Sequence, residues 1–306
     1  MPVSWSDEVD DILASDLAAA LAYLTRAKGV LISPMAPLGV RDRERGTVTL
    51  TSSLGLWKKL VRLRSDPAVA VAYHARDHGF TDRPGFVLVQ GRASFGKPDR
   101  EWLESIAPEW NRFLPPRKGG LVGRALDAYY WQRVRITIEI ERVVAFGDTA
   151  ASGQPTVTGS PRPATPEAQD EPKKGTGPRL DPSKVAADVQ RLPHTLLGWC
   201  GDDGIPEVVP VRGASASEEG LRLEVPAGSV PPGGRRAGLT AHKFWPRMVG
   251  QEQRGHTGWL SAGGDAVNYA PHTRTGYRMP PSSLAYHLGC ATLATRVKGA
   301  RAAGLA

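Results

Sequence analysis

The chain has 306 residues, 41% of them hydrophobic and 23% charged, which is enough for two domains that each bury a core. No run of about 18 apolar residues occurs, which excludes a membrane-spanning helix. The first eight residues lack the basic and apolar regions of a secretory signal, and two cysteines, Cys200 and Cys290, fit a reducing, cytoplasmic setting. The formal charge of +8 favours anionic partners: a phosphorylated cofactor, an acidic substrate or nucleic acid. Lys and Arg are dispersed, however, which reads as a solvated basic surface and makes nucleic acid the less expected partner.

In chain order, residues 16–26 carry a helical pattern with Ser15 or Asp16 as N-cap. Strands are expected at 29–33 and 47–51, the second with alternating β-branched residues. A helix fits 56–63 and ends at Asp66-Pro67, because proline disfavours helix in the residue before it. Strands at 68–73 and 86–93, a helix at 99–106 and a mixed segment at 110–130 follow. A period-two strand at 135–143 closes a first domain, residues 1–148.

Residues 149–182 are rich in Pro and Gly and nearly free of large apolar side chains, the composition of a flexible linker. The second domain, 183–306, repeats the order more loosely. Strands at 195–199 and 207–211 flank the turn Asp202-Asp203-Gly204. A strand at 221–225, a helix at 235–244 and a strand from 256 follow, which suggests duplication.

The chemistry-bearing stretch runs from Thr51 to Pro67. A strand runs out into Thr51, Ser52 and Ser53, and a helix then opens with Lys58 and Lys59, with Arg62 one turn on. Hydroxyls and free amides at a helix start favour an anion, and the lysines add point charges, so the segment suits a phosphate. A solvated basic helix face explains the same residues equally well.

Context separates the two. The succession Thr51-Ser52-Ser53, Lys58-Lys59, Leu63, Asp66-Pro67 and an Ala/Val strand resembles the pyridoxamine 5′-phosphate oxidase-like, flavin reductase split-barrel families. The strand ending Gly91-Arg92-Ala93 and the strand at 136–143 are similar to later elements of those families, in the same order. The resemblance spans roughly residues 16–148. It implies a split barrel that binds FMN or the deazaflavin coenzyme F(420) and moves hydride to or from a small-molecule substrate. Lys58, Lys59 and Arg62 would meet phosphate, Thr51, Ser52 and Ser53 would supply hydroxyls and amides, and Ser33 and Pro34 would lie near the ring system. The cofactor carries the hydride, so no side-chain acid or base is named. One departure is the Pro-, Gly- and Arg-rich segment 35–45, standing where those families place a hairpin.

The second domain resembles the same barrel more distantly. Arg235, Arg236 and His242 form a candidate second anion site, or the domain is a degenerate partner completing the first one's pocket. Because those families dimerise around the cofactor, the resemblance implies a homodimer or a tandem chain acting as its own pseudo-dimer. The expected architecture is α+β, mainly β: two tandem split β-barrels, the second degenerate, joined by a disordered linker. His242, His256 and His272 would suit zinc or haem iron if they met in space, but their spacing matches no compact metal motif, and no metal is assigned. A non-enzymatic cofactor- or haem-binding protein of this fold is the alternative reading.

Overall fold

The computed structural model describes residues 2–116, 129–264 and 266–306. Helix α1 (Asp7–Ser15) starts at Ser6, whose hydroxyl accepts from the Val9 amide at 3.4 Å. Seven strands follow: β1 (Ala19–Leu24), β2 (Val30–Met35), β3 (Arg41–Asp42), β4 (Thr47–Ser53), β5 (Ala68–Tyr73), β6 (Phe86–Phe95) and β7 (Arg133–Phe146). They pair in the order β2-β1-β5-β6-β7-β4-β3, and β8 (Thr156–Gly159) lies along β7. Helix α2 (Trp57–Ser65) joins β4 to β5, while α3 (Arg100–Ser105) and α4 (Ala107–Phe113) follow β6. Of the segment 110–130 read as mixed, residues 117–128 lie outside the described residues.

The second half begins with α5 (Pro182–Arg191) and contains β9 (His194–Cys200), β10 (Pro206–Pro210), β11 (Gly213–Ser217), β12 (Gly220–Glu224), β13 (Gly233–Phe244), β14 (Gln251–Gly263) and β15 (Ala266–Met279). Their order, β10-β9-β13-β14-β15-β12-β11, reproduces that of the first sheet strand for strand. The fold is therefore α+β, mainly β, with two tandem split barrels. The connections differ: α3 and α4 stand between β6 and β7, whereas only two residues separate β14 from β15, and the turn after β12 differs as well. Where α2 follows β4, residues 225–232 follow β12 without helix, and Pro226, Pro231 and Pro232 cannot sustain one. The chain ends in α6 (Ser283–Thr295) and α7 (Val297–Ala302), which fold back onto the first barrel at Leu54–Leu56 and α2.

Three expectations give way here. Residues 16–26 form strand β1, not a helix, and all six β1 residues are buried. Leu21 and Tyr23 enter the first barrel's core while Ala20, Ala22 and Leu24 face the second barrel. A strand buried on both faces loses its alternation and reads as a continuous apolar run. Residues 235–244 belong to β13 for the same reason: Ala237, Leu239 and Ala241 enter the second core, and Thr240 and His242 point the other way. Residues 149–182, expected as a flexible, disordered linker, are held down instead. They contain β8, and Gln169 bonds the backbone of Gly234 and Arg236 while the Arg179 amide reaches the Pro271 carbonyl. What the composition missed is that the two barrels supply the hydrogen bonds this segment cannot make for itself.

The barrels meet across small residues. Ala20, Ala22, Ala68, Ala70 and Ala72 pack with Val30, Ile32, Leu196, Ile205 and Val208 in one buried cluster. Two glutamines cross the junction in reciprocal fashion. Gln90 on β6 donates to the Pro206 carbonyl on β10 at 2.8 Å, and Gln253 on β14 donates to the Ile32 carbonyl on β2 at 3.0 Å. Arg142 binds the pieces together: it donates to Gln90 Oε1 at 2.7 Å, to the Pro161 carbonyl at 2.7 Å and to Asp203 Oδ2 at 2.9 Å. Its guanidinium lies 3.6 Å from the buried Glu207 carboxylate. Burial pushes Glu207 above the usual carboxylate range, opposed by Gln90, Arg162 and Arg142. Removing one partner of such a set leaves the other charge buried and unmatched. Arg142→Met is accordingly expected to cost about 3–5 kcal/mol in denaturant unfolding. A loss below about 1 kcal/mol would show that Arg142 does not hold the junction.

Candidate functional site

The end of β4 is shaped by its own hydroxyls. Ser53 Oγ accepts from the Gly55 amide at 3.1 Å, capping a short helical turn over Leu54–Leu56 that leads into α2. The Leu54 amide donates to the Gln132 carbonyl at 2.8 Å, which ties the turn to the start of β7. That tie brings Arg133 beside the β4 terminus. Arg133 Nε donates to Thr51 Oγ1 at 3.0 Å and Nη2 to the Thr51 carbonyl at 3.1 Å. Its guanidinium carbon stands 5.1 Å from the ring centres of both Trp110 and Tyr129.

The lysine pair divides. Lys58 is exposed, its Nζ 5.7 Å from the Trp57 ring centre. Lys59 is buried, and among the described residues it has no hydrogen bond or ion pair. Burial, reinforced by the Arg133 charge, brings its ammonium down to about 7. Arg133 is buried too, and no carboxylate among the described residues pairs with it. Ser52 Oγ is buried without a partner, but Ser52 pairs with Val134 and faces the barrel core, the opposite side of β4 from Thr51 and Arg133. Two interior cations with no counter-charge among the described residues make an arrangement that an anion would complete.

The remaining expected residues fall around this point in different ways. Arg62 is half-buried on α2 near Tyr23, whose hydroxyl meets Ser33 Oγ at 3.3 Å. Burial raises Tyr23, and Ser33 and Arg62 hold it back. Pro34 is half-buried next to Ser33 on β2. Thr51, Ser53, Lys59 and Arg133 thus form one group from which Ser52 faces away, with Arg62, Tyr23 and Ser33 forming a second group on the same helix and the adjoining strands.

The C-terminal helices bring further residues that the sequence pattern does not signal. On α6, Tyr286 and Cys290 are buried within the field of Arg133 and Tyr129; burial drives Tyr286 well up and Cys290 to about 11. A Cβ at Gly55 would stand 2.2 Å from the Leu293 carbonyl, and one at Gly299 2.3 Å from the Trp57 indole nitrogen. Glycine at both positions lets the helices close over the turn. Arg133 itself hides in a strand whose period-two pattern begins beside it, so neither spacing nor motif marks it out.

In the second barrel Arg235, Arg236 and His242 do not converge. Arg235 and Arg236 project to opposite faces of β13, as neighbours on a strand must. Arg235 donates to the carbonyls of Pro166 and Pro232, and Arg236 to Gln169 Oε1. His242 lies seven positions further along, roughly 24 Å away at strand rise, against His74. His256 is buried with both ring nitrogens unpartnered, and His272 meets the Thr176 carbonyl at 3.4 Å. The trio His242, His256 and His272 is therefore not assembled.

No protein-family model and no curated protein matches this chain. Among solved structures it is similar to a conserved hypothetical protein from Mycobacterium tuberculosis at 22% identity, covering 49% of this chain and 88% of that one, with a TM-score of 0.37. It is also similar to an F(420) reductase at 14% identity, covering 44% of this chain and 94% of that one, TM-score 0.32. A pyridoxamine 5′-phosphate oxidase-related, FMN-binding protein from Nostoc punctiforme matches at 7% identity over 64% of this chain and 87% of that one, TM-score 0.32.

Lys59 gives the site its own test. A base whose folded value lies below its ordinary 10.5 loses folding stability as pH falls from there towards about 7. Lys59→Met should therefore stabilise the ligand-free protein by about 1–3 kcal/mol at neutral pH, the gain shrinking as pH approaches about 10. Denaturant melts at several pH values read this directly. A variant less stable at every pH would mark Lys59 as a structural residue.

Proposed function

We propose that this chain is a split-barrel protein of the pyridoxamine 5′-phosphate oxidase-like class whose first barrel holds the phosphate of FMN or the deazaflavin coenzyme F(420), as a flavin-type oxidoreductase acting on a small molecule. The observation that carries the reading is the pair Lys59 and Arg133, both buried and without a carboxylate partner among the described residues. A phosphate there would accept hydrogen bonds from both cations and would lift Lys59 back towards its charged form. The Thr51–Arg133 bonds orient the guanidinium beforehand, so little side-chain freedom is lost on binding. Tyr286 and Cys290 exclude water from above, which strengthens each charge–phosphate contact. Arg62, Tyr23 and Ser33 offer a guanidinium and two hydroxyls next to the phosphate seat, suited to polar edges of a larger ligand. When bound, the cofactor supplies hydride transfer, and the protein's residues bind and orient it.

In the same reading the two barrels form an intramolecular pseudo-dimer. Matched strand orders and the reciprocal Gln90 and Gln253 contacts support it. The alternative is a carrier that binds a cofactor without turnover, supported by the closure of α6 and α7 over the site.

Titration of the full chain with FMN and with F(420), followed by fluorescence, tests the proposal. Binding should weaken about 10–100-fold in Lys59→Met, the worth of one charge-assisted hydrogen bond. It should also fall by up to about tenfold per pH unit above about 7, where free Lys59 gives up its proton. Affinity for neither cofactor, or affinity indifferent to Lys59 and pH, would overturn the phosphate assignment. Binding without oxidation or reduction of any small molecule would leave the carrier.

A further inference from the structure

Seven histidines occur in the chain, and four of them, His74, His78, His194 and His242, gather where the two barrels join. His74 directly follows β5 of the first barrel; His194 opens β9 and His242 lies near the end of β13 in the second. The ring centres of His74 and His242 are 4.9 Å apart, those of His194 and His242 5.4 Å, and those of His74 and His194 5.7 Å. Three imidazoles bound to one tetrahedral ion at the usual metal–nitrogen distance would place their ring centres about 5 Å apart.

Tautomers follow from the neighbours. His74 Nδ1 faces the Ala72 carbonyl at 3.1 Å, which only an N–H satisfies, so Nε2 is left as the lone-pair nitrogen. That nitrogen lies 3.0 Å from His242 Nε2, which must then donate, and His242 Nδ1 is left buried with no partner. His194 Nε2 lies 2.8 Å from Asp77 Oδ2, so its proton sits there and Nδ1 is free to bind. An imidazole whose one nitrogen is held by a carbonyl, as in His74, or by a carboxylate, as in His194, keeps the other nitrogen aimed for a metal. Burial holds all three rings below the ordinary histidine value, His74 at about 3, so they are neutral donors at pH 7. Arg76, whose charge acts on His74, is engaged by Asp16 at 2.5 Å.

We propose that His74 Nε2, His194 Nδ1 and His242 Nε2 form an inter-barrel site for a divalent transition metal, with Asp77 orienting His194. Among the described residues no three side chains already converge on one centre, because His74 and His242 bond each other. Metal entry opens that bond. His242 moves its proton from Nε2 to Nδ1, and no proton is released. The all-nitrogen donor set suits Zn²⁺, Co²⁺, Ni²⁺ or Cu²⁺ over Mg²⁺ or Ca²⁺, and the fourth position is left to water or a small ligand. His194, 15% exposed at its side chain, marks the way in.

Cobalt(II) added to the full-length, untagged protein tests the site. One equivalent should give ligand-field absorption in the visible, displaced by Zn²⁺ and unaffected by Mg²⁺, and should raise the melting temperature. His74→Asn and His242→Gln should abolish the absorption, and Asp77→Asn should weaken binding about 10–100-fold. His256→Gln, a buried histidine elsewhere in the second barrel, should leave it intact. Should the ligand variants not fold, paramagnetic broadening of the His74, His194 and His242 ring signals in the wild-type spectrum gives an independent reading. Absence of a cobalt spectrum, or a spectrum that survives loss of His74 and His242, overturns the site, as does broadening confined to other histidines.

Discussion

Everything in this molecule depends on how closely β2 of the first barrel can lie against β13 of the second. A Cβ at Gly238 would fall 2.2 Å from the Val30 carbonyl, so the strands touch backbone to backbone where no side chain intervenes. Gly198 meets the Val30 and Ile32 side chains at 3.1 and 3.2 Å in the same way. The alanines of β1 and β5 extend this thin seam. Thr240 and Gln253 then reach the Ile32 carbonyl, which the approach leaves beyond its own sheet. Only with that separation fixed can Gln90 find β10, Arg142 find Asp203 and His74 find His242.

The parts of the fold that could be read from the sequence are those whose signals are local. The β4–α2–β5 unit was legible because a hydroxyl run, a basic helix and an Asp-Pro stop follow one another within seventeen residues. The strand at 133–146 was legible from its alternation. β1 and β13 were not, since a strand sandwiched between two cores has no polar face to betray its period. The Pro-rich segment at 149–182 was misjudged because its order comes from β7 and from distant side chains, none of which its own composition reveals. At the site the same division holds. Lys59 belonged to a recognisable helix start, whereas Arg133 is contributed by a strand some seventy residues away and Tyr286 by the end of the chain. Spacing along a sequence carries no record of such meetings.

The group around Lys59 illustrates a tension between folding and binding. Two buried cations that no carboxylate among the described residues meets raise the energy of the unliganded protein, and the surrounding structure offsets that cost. Thr51 fixes Arg133, the aromatic faces of Trp110 and Tyr129 flank it, and α6 closes over the top. Conflicts of this type, where a polar element is buried against local preference, concentrate where a protein meets its ligand. The ion pairs elsewhere behave differently: Glu252 is met by Arg191 at 2.7 Å and Arg254 at 2.8 Å, so its charge is matched within the barrel.

Residues 225–232 bear on how many ligands a chain can hold. An assembly of two identical barrels carries every feature in duplicate, and a change to one seat is a change to both. Here the barrels are encoded separately, and the turn after β12 was free to lose its helix while the turn after β4 kept one. The basic helix that opens beyond β4 therefore has no twin among the described residues. The second half instead packs against β1 and β5 and ends in the helices that fold over the turn after β4. On one polypeptide the strand order can stay matched while the connections between strands diverge, so the surroundings of each sheet need not be alike.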